Sequence, residues 1–144
     1  MTVITCSPAQ TEALGERLAA VLRPGDVVAM TGDLAAGKTR FTAGLARGLG
    51  LSDSVTSPTF AIAHEYREGP VPLFHFDMYR LSSSEELFDI GWEDYLASGG
   101  VCAVEWSENV ADAMPDSAFF VDIRILDETT RRITIRTPEG RDLK

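Results

Sequence analysis

Apolar positions change period several times along this chain, and each change marks an element. Val3 to Thr5 reads as a short strand. Ser7-Pro8-Ala9-Gln10 then has the form of a capping box, with Ser at the N-cap, Pro at N1 and Gln at N3. Leu14, Leu18, Val21 and Leu22 recur at helical spacing and predict a helix through Leu22, stopped by the turn Arg23-Pro24-Gly25-Asp26. Val27-Val28-Ala29-Met30-Thr31 is a continuous apolar run of strand length, the pattern of a strand covered on both faces. Phe41, Leu45 and Leu49 return to the helical period, which ends at Gly50. Leu73 to Asp77 and Val101 to Glu105 read as strands, each closed by an acid. Ser83 to Glu86 can cap a helix carrying Leu87 and Ile90 and ended by Gly91. Phe119 to Leu126 and Arg131 to Thr137, separated by Asp127-Glu128-Thr129-Thr130, predict a C-terminal hairpin.

The chain has 144 residues, 44% hydrophobic and 24% charged, which predicts one domain with a real core and no disorder. Its formal net charge of -9 argues against broad nucleic-acid binding, because that binding needs Lys and Arg to neutralise phosphates. The N-terminus MTVITCSPAQ has no basic stretch followed by an apolar run, and no apolar segment approaches the ~20 residues that span a bilayer. A cytoplasmic protein is expected. Cys6 and Cys102 lie in apolar, strand-like surroundings without metal-ligand spacing, so both are expected to be buried small hydrophobes.

The chemistry begins after the buried strand. Gly32-Asp33-Leu34-Ala35-Ala36-Gly37-Lys38-Thr39 has two glycines separated by four residues and followed by Lys and Thr. Strand, glycine-rich loop and helix stand in the order a phosphate-binding loop requires. Gly37 lets backbone N–H groups turn toward phosphate oxygens, and the helix that follows presents its positive end to the same anion. Lys38 is expected to neutralise the β and γ phosphates of ATP, and the Thr39 hydroxyl to bind Mg2+. The backbone of Leu34, Ala35 and Ala36 completes the cradle. Alanine at position 35 tolerates fewer positive-φ conformations than glycine.

Hydrolysis needs acids for the metal and a group that orients water. Glu105 ends an apolar strand, the layout that sets an acid at the carboxyl edge of a parallel sheet, and is the first candidate on the metal side. Asp77 is the second. Either carboxylate alone serves equally well as a cap or a solvated turn. Between the loop helix and the strand ending at Asp77, Ser54-Val55-Thr56-Ser57-Pro58-Thr59-Phe60 is a polar loop able to fold over a γ-phosphate, with Thr59 as its contact. His75, between Phe74 and Phe76, reads as a packed strand residue rather than a base. Trp106 fits either the core or the rim of the site.

These segments together resemble the TsaE family, also called YjeE, the bacterial ATPases of tRNA threonylcarbamoyladenosine biosynthesis. The resemblance rests on GDLAAGKTRF (32–41), SPTF (57–60), HFDMYRL (75–81), EELFDIGWEDYL (85–96) and VEW (104–106), in order and over most of the chain. It implies one α/β domain over 1–144, of the P-loop NTPase kind, with a central sheet partly parallel and partly antiparallel and flanked by helices. It implies ATP and Mg2+ as cofactors. Lys38 and Thr39 would bind phosphate and magnesium, Glu105 would join the metal, Asp77 would be needed for hydrolysis, and Thr59 would belong to a switch-like loop. The helix led by Ser7 would lie near the nucleotide, where Ser7 meets base or ribose. TsaB and TsaD are the implied partners, and the implied outcome is threonylcarbamoylation of tRNAs reading codons that begin with A, with no tight binding of tRNA by this chain alone. The sequence departs from the family at Ala35, usually Gly, and at Arg40, where a second Thr is common.

Other classes fit less well. A small-molecule kinase needs an Arg-rich lid and an acceptor site, and the chain shows neither. A GTPase needs a guanine-reading Asn-Lys-x-Asp segment, which Glu108-Asn109-Val110-Ala111-Asp112 is not. A scaffold holding ATP only for structure is separated from an ATPase by turnover alone.

Overall fold

The computed structural model describes residues 1–33, 35–51, 55–56 and 63–143. In chain order the elements are β1 (Thr2–Thr5), α1 (Pro8–Ala19), β2 (Val27–Gly32), α2 (Lys38–Gly48), β3 (Ala63–Tyr66), β4 (Leu73–Asp77), α3 (Ser84–Asp89), α4 (Trp92–Ala97), β5 (Val101–Glu105), a 3-10 segment (Ser107–Ala113), β6 (Phe119–Ile125) and β7 (Arg131–Arg136). Among the described residues the strands form one seven-stranded sheet in the order β1-β7-β6-β2-β5-β4-β3. The centre is parallel, with β2 between β5 and β6 and β4 beside β5. Both flanks are antiparallel, β1 on β7 on β6 at one side and β3 on β4 at the other. The mixed α/β sheet implied by the resemblance is the architecture found.

Strand alternation sorts the core into two layers, because successive side chains leave a strand on opposite faces. Val28, Met30, Leu73, Val101 and Ala103 pack under α1 and α2 with Leu14, Leu18, Phe41 and Leu45. Val27, Ala29, Phe74, Phe76, Cys102 and Val104 pack against Leu87 and Trp92 of α3 and α4. β2 is therefore buried on both faces, which its unbroken apolar run requires. On the first face α1 and α2 lie so close that a Cβ at Gly44 would collide with the Glu12 carbonyl, and one at Gly15 with the Phe41 carbonyl. The contact is framed by ion pairs of Glu12 with Arg40 and Arg47 at 2.9 and 3.5 Å.

Several sequence expectations change in detail. α1 ends at Ala19, and Val21 and Leu22 form i→i−3 bonds to Leu18 and Ala19 at 3.1 and 3.2 Å. The last turn tightens rather than continuing, which is a common way to satisfy terminal carbonyls. Both apolar side chains still pack on the core, which is why the helical spacing persists. Ser7 Oγ accepts the Gln10 N–H at 3.2 Å, as a capping box predicts, but the Gln10 side chain accepts the N–H of Cys6 at 2.6 Å instead of returning to Ser7. This junction leaves Cys6 exposed, against the expectation of burial; Cys102 is buried, and burial pushes its thiol up to about 12. The sequence reading missed β3 and α4. β3 is a four-residue edge strand, too short to show a period, and α4 follows α3 across Gly91, whose φ of 93° is the turn between them. The hairpin is found as expected, with Asp127 Oδ1 accepting the N–H groups of Thr129 and Thr130 at 2.9 and 2.8 Å.

Candidate functional site

The loop from Gly32 to Thr39 leaves the carboxyl end of β2 and enters α2. Gly32 adopts φ 137°, and a Cβ there would collide with the Ile123 carbonyl of β6, so only glycine fits. Gly37 is the N-cap of α2 at φ 113°, with no side chain capping the first turn. The leading N–H groups of this eleven-residue helix thus have no side-chain cap, and such a helix end is a ready site for an anion. Ala35 also has positive φ, 60°. The loop therefore demands a left-handed conformation where this chain has alanine, at a cost of roughly 1–2 kcal/mol. Leu34 lies outside the described residues. Arg131 of β7 reaches across to donate its Nε–H to the Ala36 carbonyl at 3.0 Å, a brace that no motif announces.

Lys38 is 4% exposed. Its ammonium donates to the Gly32 and Asp33 carbonyls, each at 2.9 Å, and stands over the Trp106 ring at 4.1 Å from the centroid. Burial lowers its pKa from the ordinary 10.5, although Glu105, Glu108, Asp77 and Asp33 all pull the other way. A buried ammonium held by two neutral carbonyls and a ring, in a glycine-rich loop, has partners that an anionic ligand can replace. The alternatives left open for Trp106 resolve toward the rim: it is half-buried, at φ 58°, and its ring lies 5.0 Å from that of exposed Tyr79. Positive φ at a residue of this size is strained backbone, of the kind that clusters at functional sites.

Thr39 Oγ1 donates to Glu105 Oε2 at 2.9 Å, joining the second residue of α2 to the end of β5. Glu105 is buried, and its Oε2 also meets Nε2 of buried His75. Parallel register sets Asp77 directly beside Glu105. Asp77 is half-buried and accepts the Tyr79 N–H at 3.0 Å. Ala35, Ala36, Gly37, Lys38, Thr39, Arg40, Asp77, Glu105 and Trp106 all line one cavity of about 330 Å³. Around the loop a second cavity of about 350 Å³ shares Ala35, Ala36, Gly37 and Arg40, and is walled by Ser7, Thr11, Thr129 and Arg131. The fold thus brings Ala35, Ala36, Gly37, Lys38, Thr39, Asp77 and Glu105 to one cavity, and sets Ser7 in the neighbouring one. Thr59 lies outside the described residues. Sequence reasoning missed the contact of His75 with Glu105 and the brace from Arg131, since each is made across strands far apart in the chain.

A family model described as threonylcarbamoyl adenosine biosynthesis protein TsaE matches residues 5–133. The chain belongs to the TsaE family. A Bacillus subtilis protein named tRNA threonylcarbamoyladenosine biosynthesis protein TsaE is 42% identical over 130 residues, covering 90% of this chain and 81% of its own length. A Treponema pallidum protein of the same name is 41% identical over 135 residues, covering 94% of this chain and 99% of its own. The crystal structure of YdiB from Bacillus subtilis superposes with a TM-score of 0.80 at 35% identity, over 98% of this chain and 87% of that one. Among the described residues no helix is long and apolar enough to cross a membrane.

Proposed function

We propose that this TsaE-family chain is a single ATPase domain, residues 1–144, that binds ATP with Mg2+ and hydrolyses it in the cytoplasm to support threonylcarbamoyladenosine modification of tRNAs reading codons that begin with A. TsaB and TsaD are its partners in this reading. The observation that carries it is the 2.9 Å contact of Thr39 Oγ1 with Glu105 Oε2 directly behind a phosphate-binding loop.

The donor set fits the metal. A hydroxyl and one carboxylate oxygen are hard oxygen ligands, few in number, and Mg2+ is usually held by one or two such groups with waters and phosphate oxygens filling the remainder. When bound, Mg2+ neutralises developing charge on the phosphates. The chain's own residues do the rest. Backbone N–H groups of Leu34, Ala35, Ala36 and Gly37 turn to the phosphates, that of Ala36 leaving the Asp33 carbonyl to which it donates at 3.2 Å in the free chain, and Lys38 exchanges its carbonyl partners for β and γ oxygens. Asp77, beside Glu105 on the same cavity wall, accepts a hydrogen bond from the attacking water and orients it. Thr59 contacts the γ-phosphate side from the switch-like loop. Ser7 and Arg131 wall the neighbouring cavity, which takes the ribose and base.

The test is ATP hydrolysis by the purified chain with and without TsaB and TsaD, together with co-elution in ATP, ADP and no nucleotide. Association that depends on ATP and raises turnover is expected. Tight tRNA binding by the lone chain, or association indifferent to nucleotide, refutes the pathway and partners.

A further inference from the structure

Glu105 Oε2 takes two contacts, one of them from the Thr39 hydroxyl. The other comes from His75, in the middle of β4 and 0% exposed. Register pairs His75 with Ala103 and Asp77 with Glu105, so His75 and Glu105 are diagonal neighbours on the sheet face that meets α2. Among the described residues the second ring nitrogen, Nδ1, is buried without a hydrogen-bond partner.

That asymmetry is informative. A hydrogen on Nδ1 would be a buried donor with no acceptor, the costlier kind of orphan, while a hydrogen on Nε2 meets a carboxylate oxygen. The geometry therefore favours a hydrogen on Nε2, donated to Glu105. Packing alone does not explain a ring at this place. Leu73 occupies the same face of the same strand, and an apolar side chain at position 75 would fill the interior without stranding a nitrogen.

We propose that His75 is a positioning residue for Glu105. By donating from Nε2 it fixes the carboxylate rotamer and holds Oε2 against the Thr39 hydroxyl, the orientation in which hydroxyl and carboxylate together face a divalent cation beside the phosphates. The partner behind a metal ligand commonly fixes ligand geometry in this way. The inference rests on the nucleotide reading proposed above.

The experiment is calorimetric titration with the non-hydrolysable ATP analogue AMPPNP, in Mg2+ and in EDTA, on the wild type, His75→Phe, His75→Gln, Glu105→Ala and the double variant His75→Phe/Glu105→Ala. His75→Phe should reduce the Mg2+-dependent gain in affinity about tenfold or more and leave the affinity in EDTA unchanged. His75→Gln, whose amide can still donate to Glu105, should recover part of the gain. In the Glu105→Ala background His75→Phe should add nothing. An unchanged Mg2+ gain in His75→Phe overturns the assignment, as does a wild type whose affinity is indifferent to Mg2+ although it binds AMPPNP. A wild type that binds no AMPPNP overturns the nucleotide reading and this assignment with it. If His75→Phe does not fold, the wild type decides. The chain has only 2 histidines, His64 and His75, so the tautomer of His75 can be read in a 15N-histidine-labelled sample by NMR. Hydrogen on Nε2, alone or in the imidazolium, supports the proposal, and hydrogen on Nδ1 alone overturns it.

Discussion

Replacing Lys38 with Met should separate affinity from stability, because its ammonium is set up for a ligand at some expense to the fold. In the free chain it donates to the Gly32 and Asp33 carbonyls at 2.9 Å each and lies against Trp106. An ammonium has three donors, so binding phosphate replaces neutral acceptors with anionic ones. Each such exchange gains about 1.5 kcal/mol, and two of them about 3 kcal/mol, or roughly 100-fold in Kd. Stability should respond differently. Burial lowers the lysine's pKa despite four nearby acids, so the folded chain disfavours the charge it carries. Methionine fills the same volume without that charge, and relief of desolvation offsets the two lost hydrogen bonds to within about 1 kcal/mol. The assays are calorimetric titration with ATP and Mg2+, and urea unfolding without nucleotide. Wild-type affinity in Lys38→Met refutes the phosphate role. A loss of stability above about 2 kcal/mol would show the lysine to be chiefly structural.

Asp77→Ala and Glu105→Ala should both still bind ATP, through the loop N–H groups and Lys38, yet hydrolyse it poorly; loss of Glu105 should raise the Mg2+ needed for activity, while loss of Asp77 should lower turnover even at saturating Mg2+, as steady-state assays across Mg2+ concentrations will read. ATP affinity should fall as pH rises through the lowered pKa of Lys38 toward 10.5, because a bound anion raises that pKa and binding takes up a proton in the interval; titration in buffers of differing ionisation enthalpy measures the uptake, and its persistence in Lys38→Met would exclude the lysine as its source. The same lowered pKa makes the free protein gain stability as pH rises through it, since the unfolded chain then binds more protons than the folded one; Lys38→Met should lack that increment in urea unfolding against pH. Ala35→Gly relieves a left-handed alanine at φ 60° but adds freedom to the unfolded chain, so its net effect on stability should stay within about 1 kcal/mol, measured by urea unfolding.

The sequence by itself determined the elements whose cause is local. The loop from Gly32 to Thr39, the buried run of β2, the Ser7 cap and the β6–β7 hairpin each depend on residues within a few positions of one another, so period, glycine placement and turn chemistry reveal them. The same locality made Asp77 and Glu105 visible as acids at strand ends, though not as neighbours. Only the tertiary structure decided that they sit side by side, because parallel pairing of β4 with β5 joins segments separated by α3 and α4. It also decided that Trp106 rims the site, that Arg131 braces the loop from β7, and that His75 meets Glu105. No periodicity records these contacts, since they arise from strand order in the sheet and not from spacing along the chain. Cys6 teaches the same lesson in reverse: its apolar neighbours suggested burial, but burial depends on what packs over the junction between β1 and α1, and there the fold leaves it exposed.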